Sequence, residues 1–290
     1  MREALHKERP LQVVGVINAY CALLAEHAGF HALYVSGAGV ANACHGLPDL
    51  GLTSLEDLVE EVHRITRICD LPLLVDADTG FGDQAMVERT VQALIAAGAA
   101  GMHIEDQQQA KRCGHRPNKQ LVSTEAMADR IRTAAAAKTD TEFVIMARTD
   151  ALASEGLDGA LRRMQAYREA GADMLFAEAF TDLEQYRTVT AALDAPLLAN
   201  LTEFGNTPLF HVDELREAGV ALALYPLSAF RAMNAAAEQV YTSIRRQGSQ
   251  KSLLDRMQSR DELYTHLNYL EYERRLDRET SDNEHDEPKE

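Results

Sequence analysis

Ala97-Gly98-Ala99-Ala100-Gly101-Met102-His103-Ile104-Glu105-Asp106 decides the fold. An alanine-rich helical pattern stops at Gly98, a residue suited to the left-handed turn just past a helix end. A short apolar run follows and ends in two carboxylates. The same pattern occurs three more times. Ala28-Gly29 leads into His31-Ala32-Leu33-Tyr34-Val35-Ser36, Ala170-Gly171 into Asp173-Met174-Leu175-Phe176-Ala177-Glu178, and Ala218-Gly219 into Val220-Ala221-Leu222-Ala223-Leu224-Tyr225. Each unit reads as a helix, a glycine terminator and a strand whose far end turns polar.

Outward from these units, four further apolar runs complete the set. They cover residues 11–17 before Asn18, 73–75 before Asp76, 143–147 before Arg148 and 196–199 before Asn200. Helical segments separate them, such as 53–67, which opens with Thr53-Ser54-Leu55-Glu56 in capping-box spacing. Eight αβ units predict an α/β protein of the (β/α)8, or TIM, barrel type. A doubly wound open sheet competes, but no glycine-rich phosphate loop follows the first strand.

After Tyr225 the pattern turns helical over 228–247 and again over 251–276, more than one closing helix needs. The surplus is expected to pack outside the barrel or on another subunit. Residues 1–276 are therefore taken as one barrel domain with a helical extension. Residues 277–290 are highly charged and nearly free of apolar side chains, so a disordered tail is expected there.

With 46% hydrophobic and 26% charged residues, the balance is that of a globular protein. The formal net charge of −16 argues against a nucleic-acid partner, which needs basic patches. It also repels anionic substrates, so such a ligand would need local arginines or a metal cation. No long apolar run or signal segment is evident, so no membrane partner is expected and a cytoplasmic location is. Cys21, Cys44, Cys69 and Cys113 form no CxxC pair; the first three are expected to be buried small hydrophobes.

In barrel enzymes the C-terminal ends of the strands carry the chemistry. Asp76-Ala77-Asp78-Thr79-Gly80-Phe81-Gly82 places two carboxylates at i and i+2 at such an end. Hard oxygen donors of this kind suit Mg2+, although the pair can equally cap the next helix. Lys111-Arg112-Cys113-Gly114-His115-Arg116-Pro117-Asn118-Lys119 reads as a loop over the mouth and a possible lid. Its cations are expected to lower the Cys113 thiol pKa, leaving acid, base, nucleophile and inert roles open. Arg148 and Arg231 lie near strand ends and suit a carboxylate ligand; the alternatives are an ion pair with Asp150 or Glu178 for Arg148 and a solvated helix face for Arg231.

Lys111-Arg112-Cys113-Gly114-His115 resembles the signature of the lyase branch of the isocitrate lyase and phosphoenolpyruvate mutase superfamily. The motifs at 76–82, His103-Ile104-Glu105-Asp106-Gln107, Ala147-Arg148-Thr149-Asp150, 200–205 and 224–231 match the same family. The likeness runs from about Leu11 to Tyr272. The extended loop at 113–119 and the compact length resemble the 2-methylisocitrate lyases within it.

The resemblance implies Mg2+-assisted retro-aldol (Claisen-type) cleavage of 2-methylisocitrate to pyruvate and succinate, in propionate breakdown through the methylcitrate cycle. It implies a small tricarboxylate as ligand and a homotetramer with a swapped eighth helix. Asp76 and Asp78 would hold the metal, with Glu105 and Asp49 in its outer shell. Ser36, Gly37, Ala38, Cys113, Gly114, Arg148, Glu178, Asn200, Leu201, Thr202, Arg231 and Arg260 would contact substrate. Cys113 would be the general acid; Glu178, Tyr34 and a metal-bound hydroxide remain open as the base. Ala38 stands where Gly is common in the family, and Ala177 where Pro is frequent. Phe176 and Leu224 replace the bulkier rings of isocitrate lyases, and are expected to make room for the extra methyl.

Overall fold

The computed structural model describes residues 1–285. A short helix, α1 (Arg2–Lys7), precedes the first strand. The strands are β1 (Leu11–Gly15), β2 (Ala32–Val35), β3 (Leu73–Asp76), β4 (Gly101–Glu105), β5 (Val144–Thr149), β6 (Met174–Ala177), β7 (Leu197–Asn200) and β8 (Leu222–Tyr225). All pair in parallel in chain order, and β8 closes onto β1 to complete the barrel. The eight-stranded barrel read from the sequence is therefore the observed fold.

The connecting helices are α2 (Ala19–His27), α3 (Gly37–His45), α4 (Leu55–Thr66), α5 (Gln84–Ala96), α6 (Thr124–Ala136), α7 (Leu152–Glu169), α8 (Leu183–Ala192) and α9 (Val212–Glu217). Gly29, Gly98, Gly171 and Gly219 all adopt positive φ, from 80° to 110°, as the terminator reading requires. The capping box of α4 lies one residue later than the spacing suggests. Ser54 accepts from the Asp57 backbone, and Asp57 accepts in return.

Alternation along the strands splits the core in two. Leu11, Val13, Leu74, Val144, Met146, Met174, Phe176, Leu198, Leu222 and Leu224 fill the barrel interior. Leu33, Val75, Ile104, Ile145, Leu175 and Leu197 face the helix ring. A fully buried side chain of this size contributes about 1.5–3 kcal/mol. Cys21 and Cys69 are buried as expected, but Cys44 is exposed near Glu61.

The contacts of the chain divide it within α10 (Ser228–Gln247). The barrel unit spans Met1–Ala232, and a helical unit starts at Met233. The latter adds a 3-10 turn (Lys251–Arg256), α11 (Arg260–His266) and α12 (Tyr269–His285). The continuous helix read over 251–276 is thus broken. Ser259 forms a new capping box with Glu262, and Asn268 takes φ 51° between α11 and α12. Where an irregular tail is expected from Asp277, the backbone stays helical to His285; residues 286–290 lie outside the described residues. Arg274 and Arg278 both pair with Glu271 along α12.

Candidate active site

The side chains at the C-terminal mouth of the barrel converge on a cavity of about 480 Å³. Ser36, Ala38, Asp76, Glu105, Cys113, Gly114, Arg148, Glu178, Asn200 and Thr202 all line it, with Asp49 at its edge. Of the expected contacts, Gly37 and Asp78 lie beside it and act on Asp76. The Gly37 N–H donates to Asp76 Oδ2 at 3.1 Å, and the Asp78 N–H to Oδ1 at 3.1 Å. Leu201 is buried in the outer core, and Arg231 turns to Glu203 (3.5 Å) and the Phe204 ring. Arg260 opens α11 in the helical unit.

Phe176 and Leu224 also miss the cavity. Both belong to the dry layer beneath, where Phe176 carries Arg148 over its face at 5.0 Å. The methyl-sized room expected from them is not at the cavity wall. The apolar wall consists of Ala38, Pro226 and Leu227 instead.

The turn after β3 is strained. Asp78 takes φ 47° and Phe81 60°, conformations that side-chain-bearing residues rarely adopt. Ala179, directly after Glu178, takes φ 60°. Strain of this kind costs about 1–3 kcal/mol per residue and concentrates where a side chain must be aimed.

Arg148 is the hub of the mouth. Its Nη1 meets Glu178 Oε2 at 3.1 Å, its Nε lies 2.9 Å from Asp150 Oδ2 and 3.3 Å from Glu105 Oε2. Asp150 is fixed in turn, because its N–H donates to Asp106, which also accepts from Thr149, Tyr167 and Arg163. Beneath lies Tyr34, its hydroxyl 2.9 Å from His103 Nε2. Burial lowers the His103 pKa to about 4, so the ring is neutral at pH 7.

The loop between β4 and α6 lies over this mouth and is pinned by three cationic or ring residues. The Lys111 ammonium sits 2.5 Å from both Asp49 and Asp78. His115 Nε2 lies 2.8 Å from Glu178, while its Nδ1 accepts from the Asn206 N–H. Lys119 donates to Asp150 at 2.8 Å and to the Gly114 carbonyl. Sequence reading singled out this loop but not these partners, nor Asn206, Pro226 and Leu227; nothing local marks contacts so distant in the chain. Gly114 is required on steric grounds. A Cβ there would lie 2.3 Å from Arg148 Nη2 and 2.6 Å from Glu178 Cγ.

Cys113 overturns one expectation. Burial pushes its thiol pKa up, and the nearby carboxylates of Asp49 and Glu178 add to the rise. The loop's cations do not prevail because Lys111 is engaged by Asp49 and Asp78, while Arg112 and Arg116 are exposed. A protonated thiol is suited to donate a proton and ill suited to attack as thiolate.

The remaining carboxyls are split by their surroundings. Burial pushes Asp78 up to about 7, with Asp76 adding repulsion and Lys111 opposing. Burial also works against the charge on Asp76, but His103, Lys111 and Arg148 hold it down at about 2. Burial raises Glu105 well above the usual range, and its Oε1 finds no hydrogen-bond partner. These groups fit a divalent cation. Lys111 already stands as a cation between Asp49 and Asp78, and raised carboxyls call for more positive charge. Asp76, Asp78 and the unpartnered Glu105 Oε1 are hard oxygen donors of the kind that Mg2+ takes, one or two carboxylates at a time with water completing its shell.

The family described as phosphoenolpyruvate phosphomutase matches residues 1–245. A 2-methylisocitrate lyase of Escherichia coli K12 is 64% identical over 277 residues, 95% of this chain and 94% of that one. The crystal structure of a 2,3-dimethylmalate lyase, 36% identical, superposes with a TM-score of 0.88 over 96% of this chain and 93% of its own. A phosphonopyruvate hydrolase in complex with oxalate and Mg2+ is 28% identical, with a TM-score of 0.82 over 94% and 95%. The chain belongs to the phosphoenolpyruvate phosphomutase family and, within it, to the 2-methylisocitrate lyases.

Proposed function

We propose that the chain cleaves 2-methylisocitrate into pyruvate and succinate, with Mg2+ held by Asp76 and Asp78. The carrying observation is the packing of the Cys113–Gly114 turn onto Arg148 and Glu178 at the mouth that Asp76 lines. The 64% identity to a 2-methylisocitrate lyase supports the same reading.

The substrate hydroxyl on C2 loses its proton, and the C2–C3 bond breaks as the C2=O of pyruvate forms. The electron pair left on C3 makes a succinate carbanion, which takes a proton from the Cys113 thiol. Burial keeps that thiol protonated and ready to donate. Arg148 and Asn200 face the cavity as donors to the substrate's carboxylates, and Ser36 adds a hydroxyl at the N-terminus of α3. Mg2+, when bound, supplies Lewis-acid polarisation of the substrate hydroxyl and its neighbouring carboxylate.

Burial opposes a charge on Glu178, yet Arg148 and His115 hold it well below the usual carboxylate range. It also accepts from Asn200 and from the Ala179 N–H. These contacts make Glu178 an anchor for Arg148 and His115, and as an ionised carboxylate in the cavity wall it stays open as the acceptor of the C2 hydroxyl proton. Leu201, Arg231 and Arg260 enter this reading only as family expectations.

The reading extends to a homotetramer in the cytoplasm. Tyr241, Leu254, Leu270, Tyr272 and Leu276 of the helical unit are all more than half exposed, which suits a second copy as cover. Among the described residues no helix is long and apolar enough to cross a membrane.

The test is a steady-state comparison of 2-methylisocitrate, isocitrate, 2,3-dimethylmalate and oxaloacetate, each with and without EDTA. The expected result is the highest kcat/KM for 2-methylisocitrate and loss of activity on chelation. Equal or faster cleavage of isocitrate would remove the substrate assignment, and EDTA-resistant turnover would remove the metal.

A further inference from the structure

We propose that Lys119 is a positioning residue, a clasp that holds the Cys113–Gly114 turn of the lid over Arg148. Its effect on turnover rests on the lyase reading; its effect on the lid does not.

The lid leaves the barrel after β4 and rejoins it at the Gln107–Leu121 bridge. Between these ends Lys119 is buried, with a side chain only 6% exposed. Its ammonium makes two bonds, one to Asp150 Oδ1 at 2.8 Å and one to the carbonyl of Gly114. Asp150 is wholly buried and cannot follow the lid. Its N–H is tied to Asp106 at 2.9 Å and its Oδ2 to Arg148 Nε at 2.9 Å. One carboxylate therefore orients Arg148 and, through Lys119, fixes the backbone of the residue next to Cys113. Gly114 is pressed against Arg148 and Glu178 on its other side, so the turn is held from both directions.

The other two lid contacts differ in kind. Lys111 grips Asp49 and Asp78, carboxylates that a divalent cation would claim, and His115 grips Glu178 in the cavity wall. Of the three, only Lys119 pairs with a carboxylate that does not line the cavity, Asp150, so this contact can persist through a catalytic cycle. A role limited to neutralising Asp150 is already filled by the two-pronged contact from Arg148.

The test is peptide-resolved alkylation by iodoacetamide of the Mg2+-loaded wild type, Lys119→Met and Lys119→Arg. Buried Cys21 and Cys69 serve as internal references. Loss of a charge-assisted hydrogen bond should speed alkylation of Cys113 about tenfold in Lys119→Met, with the references unchanged. Removing a cation raises the thiol pKa, if it acts at all, so a faster rate reports access to the sulfur. Lys119→Arg should restore most of the protection. In 2-methylisocitrate cleavage kcat should fall about tenfold in Lys119→Met, with a smaller change in KM. A Cys113 rate equal to wild type, or a parallel rise at Cys21 and Cys69, would overturn the clasp. Wild-type protein that fails to cleave 2-methylisocitrate would overturn the lyase reading and leave the alkylation comparison standing.

Discussion

The lower and upper halves of the barrel interior follow one rule and hold opposite chemistry. On β5 the inward row runs Val144, Met146, Arg148 and then Asp150; on β6 it runs Met174, Phe176 and then Glu178. On β3 it passes from Leu74 to Asp76 and Asp78. Every one of these residues is less than a tenth exposed. Burial alone therefore does not separate core from site. Below, apolar chains stabilise the fold by leaving water. Above, charges endure burial only through partners, and where partners fall short the pKa moves, as at Asp78 and Glu105. The change of chemistry along each inward row, at the strand's C-terminal end, marks where the fold stops working for stability and starts working for catalysis.

Substitutions in each half should break the comparison in opposite ways. Asp76→Asn should lower kcat/KM by about a thousandfold or more, the scale of Lewis-acid stabilisation. Its unfolding free energy without metal should fall by about 1–3 kcal/mol, less than a core truncation costs, because Gly37 and Asp78 donate to different carboxylate oxygens and an amide can accept from only one of them. Parallel assays and urea melts check both halves of the statement. Phe176→Ala, one layer lower, should instead cost about 3–5 kcal/mol of stability in the same melts.

Glu105→Gln is a finer probe. Burial favours the neutral carboxyl, so the amide imitates the form that the apo protein prefers. Its stability at pH 7 should match or exceed wild type by up to about 1 kcal/mol, and a loss larger than that would contradict a protonated Glu105. The smallest effect concerns Cys113. Because burial raises its pKa, its thiolate should appear only above the ordinary thiol value of about 8.5. The alkylation rate of Cys113 should still be climbing where a model thiol has reached its plateau. A midpoint below the model thiol would restore the cation-lowered reading.

The barrel was legible because its signals are local. Gly29, Gly98, Gly171 and Gly219 each close a helix within a few residues of the strand they precede, and the polar strand ends follow at once. The mouth residues Ser36, Asp76, Arg148, Glu178 and Asn200 were legible for the same reason. The lid was not. Lys111 reaches back to Asp49, His115 forward to Asn206 and Lys119 to Asp150, and no local pattern encodes such pairs. That is also why the thiol shift came out reversed. Cations adjacent in sequence were counted for Cys113, while the fold assigns them elsewhere or leaves them in solvent. The break at Ser259 shows the same limit on a smaller scale, since a helical composition across 251–276 conceals a strong N-cap.

The most direct test of thiol-quenched carbon–carbon cleavage follows products by NMR in D2O, with Mg2+ and 2-methylisocitrate. Wild-type protein should release pyruvate and succinate carrying one carbon-bound deuteron, and Cys113→Ser should form both at least a hundredfold more slowly, within the range for loss of a general acid, roughly 10²–10⁴. Release of succinate from Cys113→Ser at the wild-type rate would contradict the account.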